Sequence, residues 1–204
     1  FNSKEYATKG RSEALVAQIY KGKERFCSGK DSTGVNKFKK DQTWLQISYK
    51  REEYHKILPH FVLGSYIEAF YSSKNFSENY TATLLQAGEF TPTSHSRYSY
   101  NEAFRANQFV GVGVRPIYRF NQMFHVRGEF YGFMPIFPIE RNSINKAYYG
   151  KAFSRFEYLG EVSVVCQLPF GAISAYVNHY SSPKREWNVG LTLGWQLFNY
   201  RFFE

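Results

Sequence analysis

The chain has 204 residues, of which 20% are aromatic, and 26 Lys and Arg against 17 Asp and Glu give it a formal net charge of +9. So many aromatic side chains require a folded interior, which excludes a disordered chain. The sequence has no run of about 20 apolar residues and only two cysteines without zinc-site spacing, which excludes a helical membrane protein and a disulfide-rich mini-domain.

Alternation of polar and apolar residues predicts β-strands, because successive side chains of a strand point to opposite faces. In chain order, the eight predicted strands cover residues 11–20, 42–51, 60–71, 108–120, 123–136, 156–168, 172–180 and 187–199. No segment shows a convincing helical period. Each predicted strand therefore has one apolar and one polar face.

Two sets of residues define these faces. The apolar faces of the fourth and eighth strands carry Val110, Val112, Val114, Trp187, Leu191, Leu193 and Trp195. The polar faces carry charged residues: Glu68, Arg115, Arg119, Arg127, Glu129 and Glu161. A tight turn at residues 121–122 joins the fourth and fifth strands as a hairpin.

Strand length and connection length favour a membrane barrel over a soluble β-sandwich, although both have alternating faces. The clear strands run nine to fourteen residues, and a tilted strand needs about 9–11 to cross a membrane. The turns at 121–122 and 169–171 are tight, whereas the connections at 21–41, 72–107 and 137–155 are long. Outer-membrane barrels have this asymmetry, with long outer loops. The sequence thus predicts one all-β domain over residues 1–204, an antiparallel transmembrane β-barrel with about eight strands.

Several segments resemble the second half of the sixteen-stranded barrels of the outer-membrane assembly and surface-antigen superfamily. Asn2 and residues 6–10 (Tyr-Ala-Thr-Lys-Gly) resemble the entry to a barrel strand of that family. Residues 104–106 (Phe-Arg-Ala) are similar to its Val-Arg-Gly-Phe/Tyr motif, and residues 127–130 (Arg-Gly-Glu-Phe) lie where the family places an inward acid. The run 190–203 resembles the aromatic last strand that directs insertion.

Within that superfamily, the likeness is closest to the barrel that ends bacterial patatin-like phospholipases. The resemblance implies a lipase domain upstream, but this chain has no Gly-x-Ser-x-Gly nucleophile elbow, so we assign no catalytic residue to it. Residue 1 is Phe without a signal-peptide pattern, and eight strands would be half of sixteen, so we expect a fragment of a larger protein. An autonomous eight-stranded barrel is the alternative.

The resemblance also implies that Arg105 folds into the barrel lumen and pairs with Glu129. Charges inside a lumen need partners, and we expect them to form a network of salt bridges that rigidifies the barrel rather than a gate. The predicted lumen network consists of Arg105, Arg115, Arg119, Arg127, Glu68, Glu129 and Glu161.

The predicted loop 21–41 is rich in basic residues that would attract lipopolysaccharide phosphate, although charge runs more often just face water. These residues are Lys21, Lys23, Arg25, Lys37, Lys39 and Lys40. Nucleic acid is not an expected partner, because the aromatic residues alternate on strand faces rather than beside basic ones. The histidines lack metal-ligand spacing, so we expect no metal and no cofactor.

These observations predict an outer-membrane anchor or conduit that serves an upstream domain of the same protein. The expected partners are outer-membrane lipid, lipopolysaccharide and, through the C-terminal strand, the barrel assembly machinery, with homo-oligomerisation left open. Two alternatives remain: the barrel of a protein-insertion or secretion machine, and a soluble lipid-binding β-protein.

Overall fold

The computed structural model describes residues 6–27, 37–169, 171–182 and 187–195, with side chains at all of these positions except 26, 27, 37, 38 and 195. Within these ranges the chain forms twelve strands, one short α-helix and two 3₁₀ turns. In chain order the strands and the helix are β1 (Gly10–Cys27), β2 (Lys37–Lys56), β3 (Phe61–Ser72), α1 (Tyr80–Gln86), β4 (Gly88–Glu89), β5 (Arg105–Ala106), β6 (Gln108–Arg119), β7 (Phe124–Pro135), β8 (Ile139–Arg141), β9 (Ala147–Tyr149), β10 (Glu157–Leu168), β11 (Gly171–Tyr180) and β12 (Trp187–Trp195).

Eight strands form one large antiparallel sheet in the order β1-β2-β3-β6-β7-β10-β11-β12. Each strand pairs with the next long strand along the chain, so the sheet is a meander, and the prediction of an all-β chain with eight long strands is confirmed. In the part of the chain that the structure describes, β1 and β12 are the two edges and do not pair with one another. The sheet is therefore open. No described helix is both long enough and apolar enough to cross a membrane.

A meander places every second connection at the same end of its sheet. The tight turns, among them the one predicted at 121–122, lie at one end. There the Asn121 carboxamide oxygen accepts hydrogen bonds from the backbone N–H groups of Met123 and Phe124, at 2.8 and 2.7 Å. The connections at 73–107 and 136–156 lie at the other end and are long, as predicted. Both contain short elements that the sequence pattern did not predict, including α1 and the β8–β9 hairpin.

The prediction of a loop at 21–41 is wrong over most of its length, because β1 continues to residue 27 and β2 begins at residue 37. Strand pairing uses backbone groups, and here oppositely charged residues face one another across the two strands. Lys23 lies opposite Asp41 with 3.5 Å between Nζ and Oδ1, and Glu24 lies opposite Lys40. Such cross-strand pairs stabilise a polar hairpin. The basic residues assigned to the loop therefore lie on paired strands: Lys21, Lys23, Arg25, Lys37, Lys39 and Lys40.

In a sheet of a soluble protein the apolar face is buried and the polar face is exposed. In the large sheet of this protein the apolar face is exposed and much of the polar face is buried. On one face, here called the apolar face, Leu191 is 81% exposed and Val112 is 51% exposed. On the other, here called the polar face, Arg127 is 2% exposed and Glu161 is 3% exposed. The predicted division into an apolar and a polar face is present, and the side of the sheet that is buried is the polar one.

Residues 73–107, here called the covering segment, bury the polar face. The segment contains α1, whose first turn is capped by the side chain of Asn79 accepting from the Ala82 N–H at 2.7 Å. Phe90 and Phe104 are each 2% exposed. Their rings pack against aromatic residues of the sheet: Tyr66, Phe109, Tyr131, Phe133 and Tyr180. This aromatic cluster is the largest apolar core of the described chain.

A glycine of β6 makes room for that core. A Cβ atom added at Gly111 would overlap the ring of Phe90, which is closely surrounded and cannot turn away. We expect Gly111→Ala to lower the free energy of unfolding by about 1–3 kcal/mol, the usual cost of overpacking. Urea titration followed by tryptophan fluorescence would measure this change.

The matched control is Gly160→Ala on β10, where the added Cβ would lie 3.7 Å from the Phe130 ring, an ordinary contact. We expect this variant to change the free energy of unfolding by less than about 0.5 kcal/mol. Equal stability of the two variants would show that Phe90 is not held where the structure places it.

Candidate functional site

Two arginines and two glutamates form a buried cluster on the polar face. Arg127 and Glu129 are two residues apart on β7 and so share a face, with 2.5 Å between Arg127 Nε and Glu129 Oε1. The Nε–H group makes no hydrogen bond to that oxygen, so the contact is ionic. Arg115 of β6 lies 3.6 Å from Glu129 Oε2 through Nε and 2.7 Å from Glu52 Oε2 through Nη1. Glu129 is thus shared by both arginines, and Glu52 is a second carboxylate for Arg115, with little exposure to solvent.

Tyrosine hydroxyls add hydrogen bonds to this cluster, although Arg127 Nε has no hydrogen-bond acceptor among the described residues. The Tyr54 hydroxyl accepts from Arg115 Nη1 at 2.6 Å and from Arg127 Nη2 at 3.3 Å. The Tyr131 hydroxyl accepts from Arg115 Nε at 2.5 Å and donates to Glu129. Because every charged group has several partners, the cluster meets the condition under which buried charges are tolerated.

The same two arginines also hold segments that lie outside the large sheet. Arg115 Nη2 donates to the backbone carbonyl of Pro92 in the covering segment, at 3.1 Å. Arg127 Nη1 donates to the carbonyl of Ala7, at 3.2 Å. Hydrogen bonds to charged groups are stronger than neutral ones, so the cluster fixes both segments against the polar face.

A second cluster is centred on His95 of the covering segment. His95 Nδ1 lies 2.6 Å from Glu161 Oε1 on β10, and both side chains are at most 2% exposed. On its other side, His95 Nε2 lies 3.3 Å from Ser174 Oγ and 3.3 Å from the Tyr6 hydroxyl. The ring also stacks on Tyr176, with 3.6 Å between centroids. His95 therefore joins the covering segment to two neighbouring strands and to residue 6.

Ser174 contacts His95, and His95 contacts Glu161, which is the order of residues in a Ser-His-acid catalytic triad. Two observations oppose catalysis. Ser174 is 1% exposed, and its Oγ is held 2.7 Å from the Tyr6 hydroxyl, so a substrate carbonyl has no access to it. As folded, the His95 cluster is a structural connection between the covering segment and the sheet.

The predicted pairing of Arg105 with Glu129 is wrong. Arg105 lies on β5, which pairs with β4 and places it opposite Glu89, with 2.7 Å between Arg105 Nη2 and Glu89 Oε2. The Glu129 carboxylate is taken by Arg127 and Arg115. Arg105 pairs with Glu89, which also lies in the covering segment, and Glu129 pairs with Arg127, its neighbour on β7. Each residue thus has a closer partner than the one that the family resemblance implied.

The other predicted network residues differ in burial and in the partners that they contact. Arg115, Arg127, Glu129 and Glu161 are buried on the polar face, although Glu161 contacts a histidine rather than an arginine. Glu68 is half-buried and accepts a hydrogen bond from the Tyr66 hydroxyl. Arg119 lies at the end of β6 and forms no ion pair with a described carboxylate. The predicted network is therefore divided between two separate clusters, and Arg105, Glu68 and Arg119 lie outside both.

Sequence reasoning missed several members of these clusters: Tyr6, Glu52, Tyr54, Tyr131, His95 and Ser174. A signal existed for Glu52 and Tyr54, because the polar alternation of β2 continues to both when the strand is extended beyond residue 51. His95 had no such signal, since it lies in an irregular connection 66 residues before its partner Glu161. Contacts between such distant residues depend on tertiary structure.

The residues expected on the apolar face are exposed where their side chains are described: Val110, Val112, Val114, Trp187, Leu191 and Leu193. The side chain of Trp195, and those of Lys37 and most of the C-terminal run 190–203, lie outside the described residues. Across the described ranges, no group of three or more His, Cys, Asp or Glu side chains is arranged to hold a metal ion.

We found no match to this chain among protein-family models, curated proteins or solved structures. The resemblance to the outer-membrane superfamily therefore depends on the sequence segments at residues 2–10, 104–106, 127–130 and 190–203.

Proposed function

We propose that the chain is an outer-membrane β-barrel, or part of one, that serves as the membrane anchor or conduit of a larger bacterial protein. The observation that carries the proposal is the inverted polarity of the large sheet. Its exposed face is predominantly apolar, with the charged pairs Arg11–Glu13 and Arg51–Glu53 confined to one end of β1 and β2, whereas its buried face holds arginines, glutamates and hydrogen-bonded tyrosines.

A soluble protein rarely exposes so much contiguous apolar surface. In a membrane barrel, by contrast, lipid covers an apolar outer face while the interior is polar. The exposed apolar residues occur on every strand of the sheet, from Leu15 at 71% and Ile19 at 77% on β1 to Leu193 at 80% on β12. Lipid is the environment in which such a surface is stable.

The edges of the sheet also support a larger closed assembly. Inside lipid, an unpaired strand edge leaves N–H and C=O groups without partners, at a cost of several kcal/mol for each group. The proposal therefore requires that β1 and β12 pair with each other, in an eight-stranded barrel, or with further strands, in the sixteen-stranded barrel that the resemblance implies. In either case the covering segment lies in the interior.

Three partners are also proposed: lipopolysaccharide, the barrel assembly machinery and an upstream domain of the same protein. With the long connections outside, the basic ends of the β1–β2 hairpin face the lipopolysaccharide layer, where phosphate would attract them. The C-terminal strand is proposed to engage the barrel assembly machinery. An upstream patatin-like phospholipase domain follows from the family resemblance alone, and sequencing the region upstream of residue 1 would test it.

A charge placed on the apolar face tests membrane contact directly. Val162 lies in the middle of β10 and is 51% exposed. If lipid covers it, Val162→Arg should lower the free energy of unfolding in phospholipid vesicles by about 2–4 kcal/mol. Heat-modifiable gel migration and urea titration in vesicles would measure the loss.

The matched control is Ile144→Arg. Ile144 is 70% exposed in the connection between β8 and β9, outside the large sheet, so we expect a change below about 0.5 kcal/mol. A soluble β-protein would tolerate both substitutions, since both positions face solvent. Equal, small effects together with purification in the absence of detergent would refute the membrane proposal.

A further inference from the structure

The β1–β2 hairpin extends beyond the strand that follows it. Pairing between β2 and β3 ends where Gln46 lies opposite Ser72, and Gln46 also lies opposite Gln18 of β1. Past that level, residues 19–27 and 37–45 pair with each other and, in the described chain, with no third strand. They are here called the arm, which is roughly 30 Å long at about 3.3 Å per residue. With the long connections outside the membrane, the arm lies in the lipopolysaccharide layer.

The covering segment fixes which side of the arm faces the interior. Glu24 accepts hydrogen bonds from the backbone N–H of Glu78 at 3.4 Å and from Gln42 Nε2 at 3.0 Å. Lys74 Nζ lies 4.3 Å from the centre of the Trp44 ring. The even-numbered residues of the arm thus form an inner face against the covering segment, and the odd-numbered residues form an outward face that continues the apolar face of the sheet.

The outward face changes from apolar to basic along the arm. Ile19 and Leu45 lie opposite one another on it and are 77% and 37% exposed. Alternate residues of a strand are about 7 Å apart, so the first cation beyond Ile19 is close to the apolar surface. An amphiphile needs both kinds of contact in this order. The described cations of this face, here called the outward cations, are Lys21, Lys23, Arg25 and Lys39, and all four are exposed.

Two of the outward cations face one another without a counter-charge. Arg25 lies directly opposite Lys39, and like charges in that position destabilise a sheet. Among the described side chains, the outward face of the arm has one carboxylate, Asp41, with 3.5 Å between its Oδ1 and Lys23 Nζ. Directly opposite Cβ atoms are about 4.5–5.5 Å apart, so one phosphate group can contact both Arg25 and Lys39. An anion between these two side chains would remove their repulsion.

The spacing of the outward cations indicates which class of lipid fits them. From Lys21 to Arg25 they extend over about 13 Å along the strand, which is more than a single phosphate group covers. A glycerophospholipid such as phosphatidylglycerol has one phosphate, next to its acyl chains. Lipopolysaccharide has phosphates on lipid A, next to its acyl chains, and also on the inner-core sugars farther from the membrane. Cations that begin at the apolar surface and continue away from it are complementary to lipopolysaccharide.

We propose that the outward cations bind the phosphates of one lipopolysaccharide molecule. Its acyl chains lie along Ile19 and Leu45, a lipid A phosphate lies at Lys21, and an inner-core phosphate lies between Arg25 and Lys39. The inference rests on the proposed membrane function, and it names the residues and the phosphate groups through which the lipid is held.

Native mass spectrometry of the protein in detergent, after incubation with rough lipopolysaccharide of defined core structure, tests the proposal. We expect one retained lipopolysaccharide per protein and at least about tenfold weaker retention of phosphatidylglycerol. Arg25→Gln combined with Lys39→Gln should lower the retention of lipopolysaccharide at least about tenfold, since each cation contributes about a factor of five. Removal of the inner-core phosphates should lower retention by the unaltered protein to the same extent and leave that of the double variant unchanged.

Lys39→Gln and Lys40→Gln form a matched pair. The two lysines are neighbours on β2, both are exposed, and each substitution removes one positive charge. Lys40, however, lies on the inner face, opposite Glu24. Lys39→Gln should lower retention about fivefold. Lys40→Gln should lower it less than about twofold, because solvent screens a charge on the other face.

Insertion into phosphatidylcholine vesicles, followed by heat-modifiable gel migration, is measured first for every variant. These vesicles contain no lipopolysaccharide, so a failure to insert concerns the membrane function, whereas a loss of lipopolysaccharide with intact insertion concerns the outward cations. Equal retention by Lys39→Gln and Lys40→Gln would overturn the proposal. Equal retention of lipopolysaccharide and phosphatidylglycerol by the unaltered protein, or retention that does not depend on the inner-core phosphates, would also overturn it.

Discussion

Glu129→Gln is expected to lower the free energy of unfolding by about 3–5 kcal/mol, the usual cost of removing one partner from a buried ion pair. Glu129 is 5% exposed and its carboxylate contacts both Arg127 and Arg115. The glutamine has nearly the same shape but no charge, so Arg115 would keep only the carboxylate of Glu52, and Arg127 would lose the one carboxylate with which it pairs among the described residues. Urea titration in lipid vesicles, followed by tryptophan fluorescence, would measure the change.

Glu53→Gln is the matched control, because Glu53 also pairs with an arginine two residues away on its own strand. Its partner is Arg51, and that side chain is 37% exposed. Exposed ion pairs contribute about 0–1 kcal/mol, so the control should change stability by no more than that. The double variant Arg127→Met with Glu129→Leu should regain much of the loss, since apolar residues often replace a buried pair without cost. Equal effects of Glu129→Gln and Glu53→Gln would contradict the buried cluster.

His95→Ala is expected to release the covering segment from the polar face. The substitution removes the 2.6 Å contact to Glu161 and the stacking on Tyr176, and it leaves the buried Glu161 carboxylate with only the long, 3.5 Å hydrogen bond from Asn178 Nδ2. Leaving a buried polar group unsatisfied costs about 1–3 kcal/mol, and more for a charged group. Hydrogen exchange in residues 88–107 should accelerate by about tenfold to a hundredfold, because 1.4 kcal/mol is a factor of ten.

Strands β1 and β2 provide the internal control for this hydrogen-exchange experiment. Exchange in β1 and β2 should stay unchanged, because His95 contacts neither strand in the described structure. His60→Ala, at an exposed turn where His60 Nδ1 lies 3.0 Å from the Arg119 carbonyl oxygen, should leave the covering segment protected. Uniformly faster exchange in every strand of His95→Ala would indicate global destabilisation and contradict a local connection.

The two clusters give the covering segment separate attachments. One attachment passes through Arg115 to the carbonyl of Pro92, and the other through His95 to Glu161. Two residues before Pro92, Phe90 packs in the aromatic core. In the proposed barrel these attachments keep the interior filled, which is the arrangement expected of an anchor. A conduit would require the segment to move, and His95→Ala is the variant that favours such movement.

Much of the fold follows from local pattern. Alternation identified eight long strands and assigned Val112 and Arg127 to opposite faces, because the side chains of a strand have a period of two whatever the surroundings. The pattern failed where polar residues occupy both faces. The last residues of β1 and the first residues of β2 pair through backbone hydrogen bonds, with Lys23 opposite Asp41. These residues show no alternation of polar and apolar side chains.

Neighbouring residues are enough to identify this chain as a β-protein whose strands have one apolar and one charged face, because a strand's side chains alternate between faces. The pairing of the charges is a property of the folded chain. Glu129 is taken by Arg127 and Arg115 instead of Arg105, and Glu161 is taken by His95, a residue in an irregular segment. Pairing depends on which side chains the register of the strands and the path of the covering segment bring within a few ångströms, and no local pattern encodes that distance.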